Sequence, residues 1–596
     1  MKYKVYLNIL DQIIKEAPRK FARYRIEEFD SEKLNQARSR ASIHLFLKVS
    51  FGLLDFEERE RVITDGSYDG GIDGYYIDQE TKYLYLLQAK FRTNETNFEQ
   101  KEITLEELLS MDINRILEGE NFDENGNEYN GKIKQLQREV SQIDDIARYT
   151  YKVIVLANLS GISLAKLKLL SGGYPVDVFD AMKTYENLVF PVISGTYFTA
   201  SDISIPIDLS NKNAGAKISY TVNTKASECE ITALFVPTIE LAKMMTKYKN
   251  SILKFNPRSY LDLEGRKVNS SIRETILNKE TNEFALYNNG ITMLSDETYI
   301  NERIGQKNRA QLRVKNPQII NGGQTTYTLS RIYEENKDGD LESIFGGKEV
   351  LLKVITLMNN SNDEDKLNLI DDISNATNQQ TPVINADRFA NESFHKAIQK
   401  KIFDRYGILY ERKRGEFSDG ILSGYIEGSV IVERNQFFRI YYSANGHINL
   451  GSQKKLFQQN RFPNFDINNN NSLDRFYVGY YVFSQLLKDR KPNIRLQKDT
   501  YAKIYAYNQL FFKQGMDIDP CVISENISIL DEIWGRFVEY VKLKTTIGNR
   551  AFVDKITGEA KSTFSENRLY RSGNFEKTVV NYFTKIVKTP EPLHNQ

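Results

Sequence analysis

TDGSYDGGIDGYYIDQETKYLYLLQAKF (64–91) is the stretch whose reading decides the fold of the first third of the chain. Glycine and aspartate crowd residues 65–74, the composition of a tight turn. YYID (75–78) and YLYLLQAKF (83–91) are β-rich and flank the turn-like QETK, so a β-hairpin is expected. Residues i and i+2 of a strand share a face, so Gln88 and Lys90 point together while Ala89 points away. A hairpin of this length returns them alongside Asp73, with Asp65 and Asp69 in the same turn.

This grouping has a chemical reading. Phosphodiester hydrolysis needs a carboxylate to hold a divalent metal, which lowers the pKa of a bound water and neutralises developing charge. It also needs a nearby cation to position the water or stabilise the transition state. Asp73, Gln88 and Lys90 are therefore the candidate catalytic residues. Asp73 supplies the metal-holding carboxylate, Asp69 and Asp65 could assist it, and Mg²⁺ or Mn²⁺ is the expected cofactor. The bland reading of the same residues is a solvated acidic turn beside an ordinary hairpin lysine.

Working outward, residues 1–33 look helical. LNQARSRASIHLFLKVSFGLL (34–54) places Ala37, Ala41, Leu45 and Val49 on one helical face. A helical stretch near 103–118, a polar insertion at 119–131, a helix near 132–147 and a buried strand at 151–160 follow. Together these predict an α/β unit over 1–205. A β-leaning connector spans 206–232, alternating strands and helices fill 233–440, and 441–596 is mostly helical.

At 596 residues the chain is too long for one ordinary core, and 40% hydrophobic with 27% charged residues is a globular balance. No run approaches a membrane span. Two distant cysteines argue against a disulfide framework and for a reducing cytoplasm, and four scattered histidines argue against zinc. With a net charge of +1, nucleic-acid binding has to come from local patches. Arg412, Lys413 and Arg414 form one such patch, and Lys488, Arg490 and Lys491 a second. The lone Trp534 reads as core.

QIINGGQTTYTL (318–329) reads as a strand, a tight turn and a helix, with Thr325 and Thr326 able to cap the helix start. The N–H groups there suit phosphate or another anion, and Gly322 and Gly323 admit a ligand close to the backbone. The candidate nucleic-acid or phosphate-binding residues are thus Asn289, Asn321, Gly322, Gly323, Gln324, Thr325, Arg412, Lys413 and Arg414. The structural reading of Asn288–Gly290 and Asn321–Gly323 is turns whose amides bond the backbone.

Asp73 in GGIDG and Gln88 with Lys90 in LLQAKF resemble the Mrr-like branch of the PD-(D/E)xK nucleases. That resemblance implies a restriction-endonuclease-like α/β domain in which Asp73 binds metal, Gln88 adds a ligand and Lys90 is catalytic. Such folds often add a glutamate from the preceding helix. Here residues 34–54 contain no acid and carry Arg38, Arg40, His44 and Lys48, with Glu32, Glu57 and Glu58 flanking them.

Downstream, FNPRSYL (255–261), VNSSI (268–272), FALYNNGITML (284–294), QIINGGQTTYTL, ATNQQTPV (376–383), Asp387 and LYERKRG (409–415) resemble, in identity and order, the AIPR family of abortive infection and phage resistance. By these motifs the resemblance covers roughly 230–440. It implies a metal-dependent endonuclease in antiphage defence, with a central domain that senses nucleic acid or nucleotide. The implied partners are DNA ahead of RNA, a second copy of the chain, and other defence-system or phage-derived molecules, with no membrane. The rival is a catalytically degenerate sensor of nucleic acid or nucleotide in a defence complex.

Overall fold

The hairpin forms where its alternating pattern places it. In the computed structural model, β1 (Gly74–Asp78) and β2 (Tyr83–Ala89) pair antiparallel, with Gly74 opposite Leu87 and Asp78 opposite Tyr83. The structure describes the whole chain apart from residues 27–29, 80, 102–110, 160–162, 198–201, 211–216, 225–227, 257–265, 303, 358–368, 370–371, 374–375, 377–392, 454–461, 489–497, 515–518, 554–559 and 589–596. Much of the helical stretch expected near 103–118 falls outside the described residues, as do part of FNPRSYL, most of ATNQQTPV, Asp387, Arg490 and Lys491. Two compact units are present: Met1–Val383 with Lys413–Val430, and Ile384–Arg412 with Ile431–Gln596.

In the first unit, helices α1 (Lys2–Glu16), α2 (Ser31–Phe51) and α3 (Phe56–Arg61) precede the hairpin. The side chain of Asp30 caps α2 by accepting from Lys33 N, and Gly52 closes the helix at φ 67°. The crossover from β2 carries helix α4 (Gly131–Ser141). It leads to β3 (Thr150–Leu156), parallel to β2, and then to β4 (Val176–Val178), parallel to β3. The sheet order is β1-β2-β3-β4.

The α2 face of Ala37, Ala41, Leu45 and Val49 is buried as its periodicity predicts, but so are Arg40, Ser42, His44 and Lys48. The helix is enclosed on more than one side. Its polar groups must therefore find partners inside the protein.

The β-leaning connector is realised as strands built into two further sheets. β5 (Asp202–Asp208) joins β9 (Glu297–Asn301) and β10 (Arg309–Lys315) in the order β5-β10-β9. β6 (Ile218–Asn223), β7 (Glu228–Pro237), β8 (Ile291–Ser295), β11 (Gln318–Asn321) and β12 (Glu349–Leu357) form a sheet ordered β11-β8-β12-β7-β6. Helices α5 (Thr238–Tyr248), α6 (Arg266–Asn278) and α7 (Gly323–Asn336) accompany these sheets, and Val236, Leu241, Met293, Ile319 and Val354 share one core.

The second unit is mainly helical. Phe437, Phe438, Phe476, Trp534, Phe537 and Phe583 lie in its core, so Trp534 is buried as its setting predicted. Cys229 is buried, Cys521 is exposed, and both are free thiols. No described helix is long and apolar enough to cross a membrane.

Candidate functional site

The turn before β1 is pinned on several sides. Thr64 N and Asp65 N donate to Asp73 O at 3.0 and 3.1 Å, and Asp73 N donates to Leu87 O at 2.8 Å. Gly70 and Gly71 take positive φ, and a Cβ on Gly70 would sit 2.7 Å from Ile116 Cδ1. Glycine is required there by conformation and by space. The Asp69 carboxylate accepts from Gly66 N at 3.0 Å and Gly71 N at 2.9 Å, which curls the turn onto itself.

The pinned turn draws three carboxylates together. One oxygen from each of Asp65, Asp69 and Asp73 lies within 4.8 Å of the others. Asp73 Oδ2 accepts from Ala89 N at 2.6 Å, so the β2 backbone aims this side chain. Burial pushes the Asp73 carboxyl up to about 7; Asp65 and Asp69 push the same way, while the Ala89 N–H and the Lys90 ammonium pull it down. Burial also raises Asp69. Lys90 donates its backbone N–H to Leu156 O at 3.1 Å, which fixes it at the junction of β2 and β3. Gln88 is buried, and its amide donates to Gly71 O at 3.2 Å, tying the strand to the acidic turn.

Two of the acids flanking α2 point elsewhere. Glu57 pairs with Lys20, and Glu32 accepts from Gln36 at 3.5 Å. Sequence reasoning missed Glu60, which is buried beneath the turn. Arg40 Nη2 donates to Glu60 Oε1 at 3.0 Å, while Nη1 donates to Asp65 Oδ2 at 2.9 Å and Asp65 O at 2.6 Å. Arg59 Nε donates to His44 Nδ1 at 3.2 Å, so the ring proton sits on Nε2, which faces Glu60 Oε2 at 3.0 Å. Burial lowers His44 to about 4, leaving it neutral at physiological pH. Bonds from His44 and Tyr24 with the charge of Arg40 outweigh burial and hold Glu60 down at about 2. The signal in the sequence was the spacing of Arg40, His44 and Lys48, four residues apart and so on one stripe of α2.

A second constellation lies in the central sheets, where five of the downstream motifs meet. Asn256 Nδ2 donates to the carbonyls of Ile319 and Ile320, and Gln318 Oε1 accepts from Lys254 N at 3.0 Å. Gln324 Nε2 donates to Asn269 Oδ1 at 2.9 Å, and Asn288 Nδ2 to Thr325 Oγ1 at 3.1 Å. Gly290 and Gly322 both have positive φ, and a Cβ on Gly322 would stand 2.8 Å from Ile291 Cγ1. The two Asn–Gly turns therefore pack directly on each other. Asn288 and Asn321 accept from the N–H groups of Gly290 and Gly322, as the structural reading of these turns expected.

Gly322 is the N-cap of α7, with no side-chain cap. The expected threonine cap does not form: Thr326 Oγ1 turns back to the carbonyls of Gly322 and Gly323, and Thr325 serves Asn288. Asn289 is exposed. Lys413 is buried, and its ammonium donates to the carbonyls of Leu253 and Lys254 at 3.0 and 2.8 Å, joining the basic motif to the same junction. Arg414 is exposed, and Arg412 in the second unit donates to Gln399 Oε1 at 2.7 Å. Lys413 is thus a buried structural contact rather than part of an exposed basic patch.

Residues 253–549 match the family described as AIPR protein. The match takes in all of these central motifs and runs on into the helical region, past residue 440. Neither the curated proteins nor the solved structures gave a match.

Proposed function

We propose that this chain, whose residues 253–549 align with the AIPR family of abortive-infection defence, is a metal-dependent nuclease acting through Asp65, Asp69, Asp73, Gln88 and Lys90. One observation carries the reading: three carboxylates converge beside the β2 residues that their spacing had nominated, with Asp73 aimed by the Ala89 N–H. A trio of oxygen ligands suits Mg²⁺ or Mn²⁺, and a carboxyl at about 7 is ready to exchange its proton for a cation.

Asp65, Asp69 and Asp73 would hold the ion, which when bound supplies an activated water and charge neutralisation. Gln88 would brace the turn through Gly71 O. Lys90 would hold the attacking water or the developing negative charge. Nucleic acid, DNA ahead of RNA, is the substrate class, and the exposed Arg414 and Asn289 are the candidate contacts. The α7 N-terminus, with its glycine turn, is the candidate phosphate seat.

The test is a cleavage assay on single- and double-stranded DNA and RNA with Mg²⁺ or Mn²⁺. Wild type should cut, and Asp73→Ala and Lys90→Ala should not. Equal cutting by either variant sinks the assignment. The engagement of the Gln88 amide by Gly71 O favours one rival, a sensor that binds without cutting. Metal and nucleic-acid binding with no cleavage under any condition would establish it.

A further inference from the structure

The Arg40–Glu60 pair below the acidic turn is one end of a longer run of buried polar contacts. Arg40 grips Asp65 and Glu60; Glu60 faces His44; His44 accepts from Arg59. Arg59 pairs with one oxygen of Glu16, and Lys48 Nζ donates to the other at 2.7 Å. Lys48 Nζ also donates to Tyr425 OH at 2.9 Å. Three cations, Arg40, Arg59 and Lys48, meet three anions, Asp65, Glu60 and Glu16, with a neutral histidine between them. All but Glu16 and Asp65 are buried.

The far end of this run lies in the Lys413–Val430 segment, which belongs to the family-matched part of the chain and folds into the first unit. That segment is held at several points. Asp419 accepts from Lys249 Nζ at 2.9 Å and from Tyr197 OH at 3.4 Å. Gly420 lies so close to Ile193 that a Cβ would stand 2.7 Å from its carbonyl oxygen, and Lys413 clasps the carbonyls of Leu253 and Lys254.

Gathering so many largely buried charges around α2 is costly, and a well-packed apolar interior does the structural work as well or better. What an apolar layer would not do is tie Asp65 to a residue in another part of the sequence.

We infer that Arg40 is the positioning residue of the acidic site and that the Glu60–His44–Arg59–Glu16–Lys48 run couples it to Tyr425, so that the seating of Lys413–Val430 sets the affinity of the site for a divalent cation. The inference rests on the metal reading of Asp65, Asp69 and Asp73. Arg40 engages one oxygen of Asp65 and leaves the other for a cation, and its second arm is fixed by Glu60. When Tyr425 leaves Lys48, the ammonium re-partitions toward Glu16, and Arg59, His44, Glu60 and Arg40 readjust in turn. Coupling of this kind requires that each link respond to the next, and a mutant cycle detects that directly.

The experiment measures Mn²⁺ binding to the full-length protein by titration calorimetry and by the loss of free-ion EPR signal, with circular dichroism to verify folding. The variants are Asp73→Asn, Arg40→Lys, Tyr425→Phe and the Arg40→Lys/Tyr425→Phe double. Lysine keeps the charge but loses the two-armed grip, so Arg40→Lys should weaken Mn²⁺ about tenfold, within the usual range of coupling between sites. Tyr425→Phe removes one hydroxyl and should weaken it by about three- to fivefold. The double variant should match Arg40→Lys alone. Unchanged affinity in a folded Tyr425→Phe protein, or additive losses in the double, overturns the coupling. Wild-type affinity in Asp73→Asn overturns the metal reading instead. If Arg40→Lys fails to fold, Tyr425→Phe alone decides.

Discussion

Replacing Asp73 by asparagine should stabilise the metal-free protein. The Ala89 N–H that donates to Asp73 Oδ2 at 2.6 Å finds an equivalent acceptor in the asparagine carbonyl, while the buried charge disappears. Raising this carboxyl from 3.8 to about 7 costs about 4 kcal/mol once it ionises, at about 1.4 kcal/mol per tenfold change in proton affinity. Asp73 keeps part of its surface in solvent, which brings the figure to about 2 kcal/mol. The folded pKa lies above the unfolded one, so the folded state holds the extra proton. Wild-type stability therefore falls as pH rises from about 4 through 7, and the full cost is present above 7. Urea unfolding in EDTA at pH 8 should place Asp73→Asn about 2 kcal/mol above wild type, and more than half of that gain should vanish at about pH 4. Saturating Mn²⁺ should raise wild type and leave the variant unmoved. A variant no more stable than wild type at pH 8, or a gain independent of pH, would refute the burial argument.

Glu60→Ala takes the buried carboxylate from Arg40, leaving it the partly exposed Asp65, and should cost about 3 kcal/mol in denaturant unfolding. Gly322→Ala meets both a φ of 83° and a Cβ contact of 2.8 Å, and should lower stability by about 1–3 kcal/mol. Lys413→Met should cost about 1–3 kcal/mol through the stranded carbonyls of Leu253 and Lys254, with the salt dependence of nucleic-acid binding unchanged. Arg414→Ala should instead leave stability alone and flatten that salt dependence by about one ion.

The hairpin and the strand at 150–156 were legible because period-two alternation and Gly/Asp turns are local signals. The approach of Asp65, Asp69 and Asp73 was legible in outline, since all three sit within nine residues around glycines. Glu32, Glu57 and Glu58 stand out in the sequence as further acids because they flank the helix. Glu60 lies on the same short helix as Glu57 and Glu58 but is buried where they are exposed, a difference that acidic composition does not signal. Periodicity marks the apolar face of α2 but says nothing about a helix buried on several sides, where Arg40, His44 and Lys48 are matched by acids from α1, α3 and the turn. The role of residues 413–430 was invisible for a related reason. Lys413 looked like a surface cation because its partners, two backbone carbonyls, carry no side-chain signal.

The distance along the chain between Lys48 and Tyr425 also has a bearing on time. The two are 377 residues apart, and a ribosome adding roughly 5–20 residues per second needs about 20–75 s to travel between them. Throughout that interval the helix carrying Arg40, His44 and Lys48 is already made, but the hydroxyl that meets Lys48 does not yet exist. The first unit therefore cannot close its interior on its own half of the message. The acidic turn reaches its final support only once synthesis has passed Tyr425, so a nascent chain that stops short of it carries the three aspartates without the finished frame beneath them.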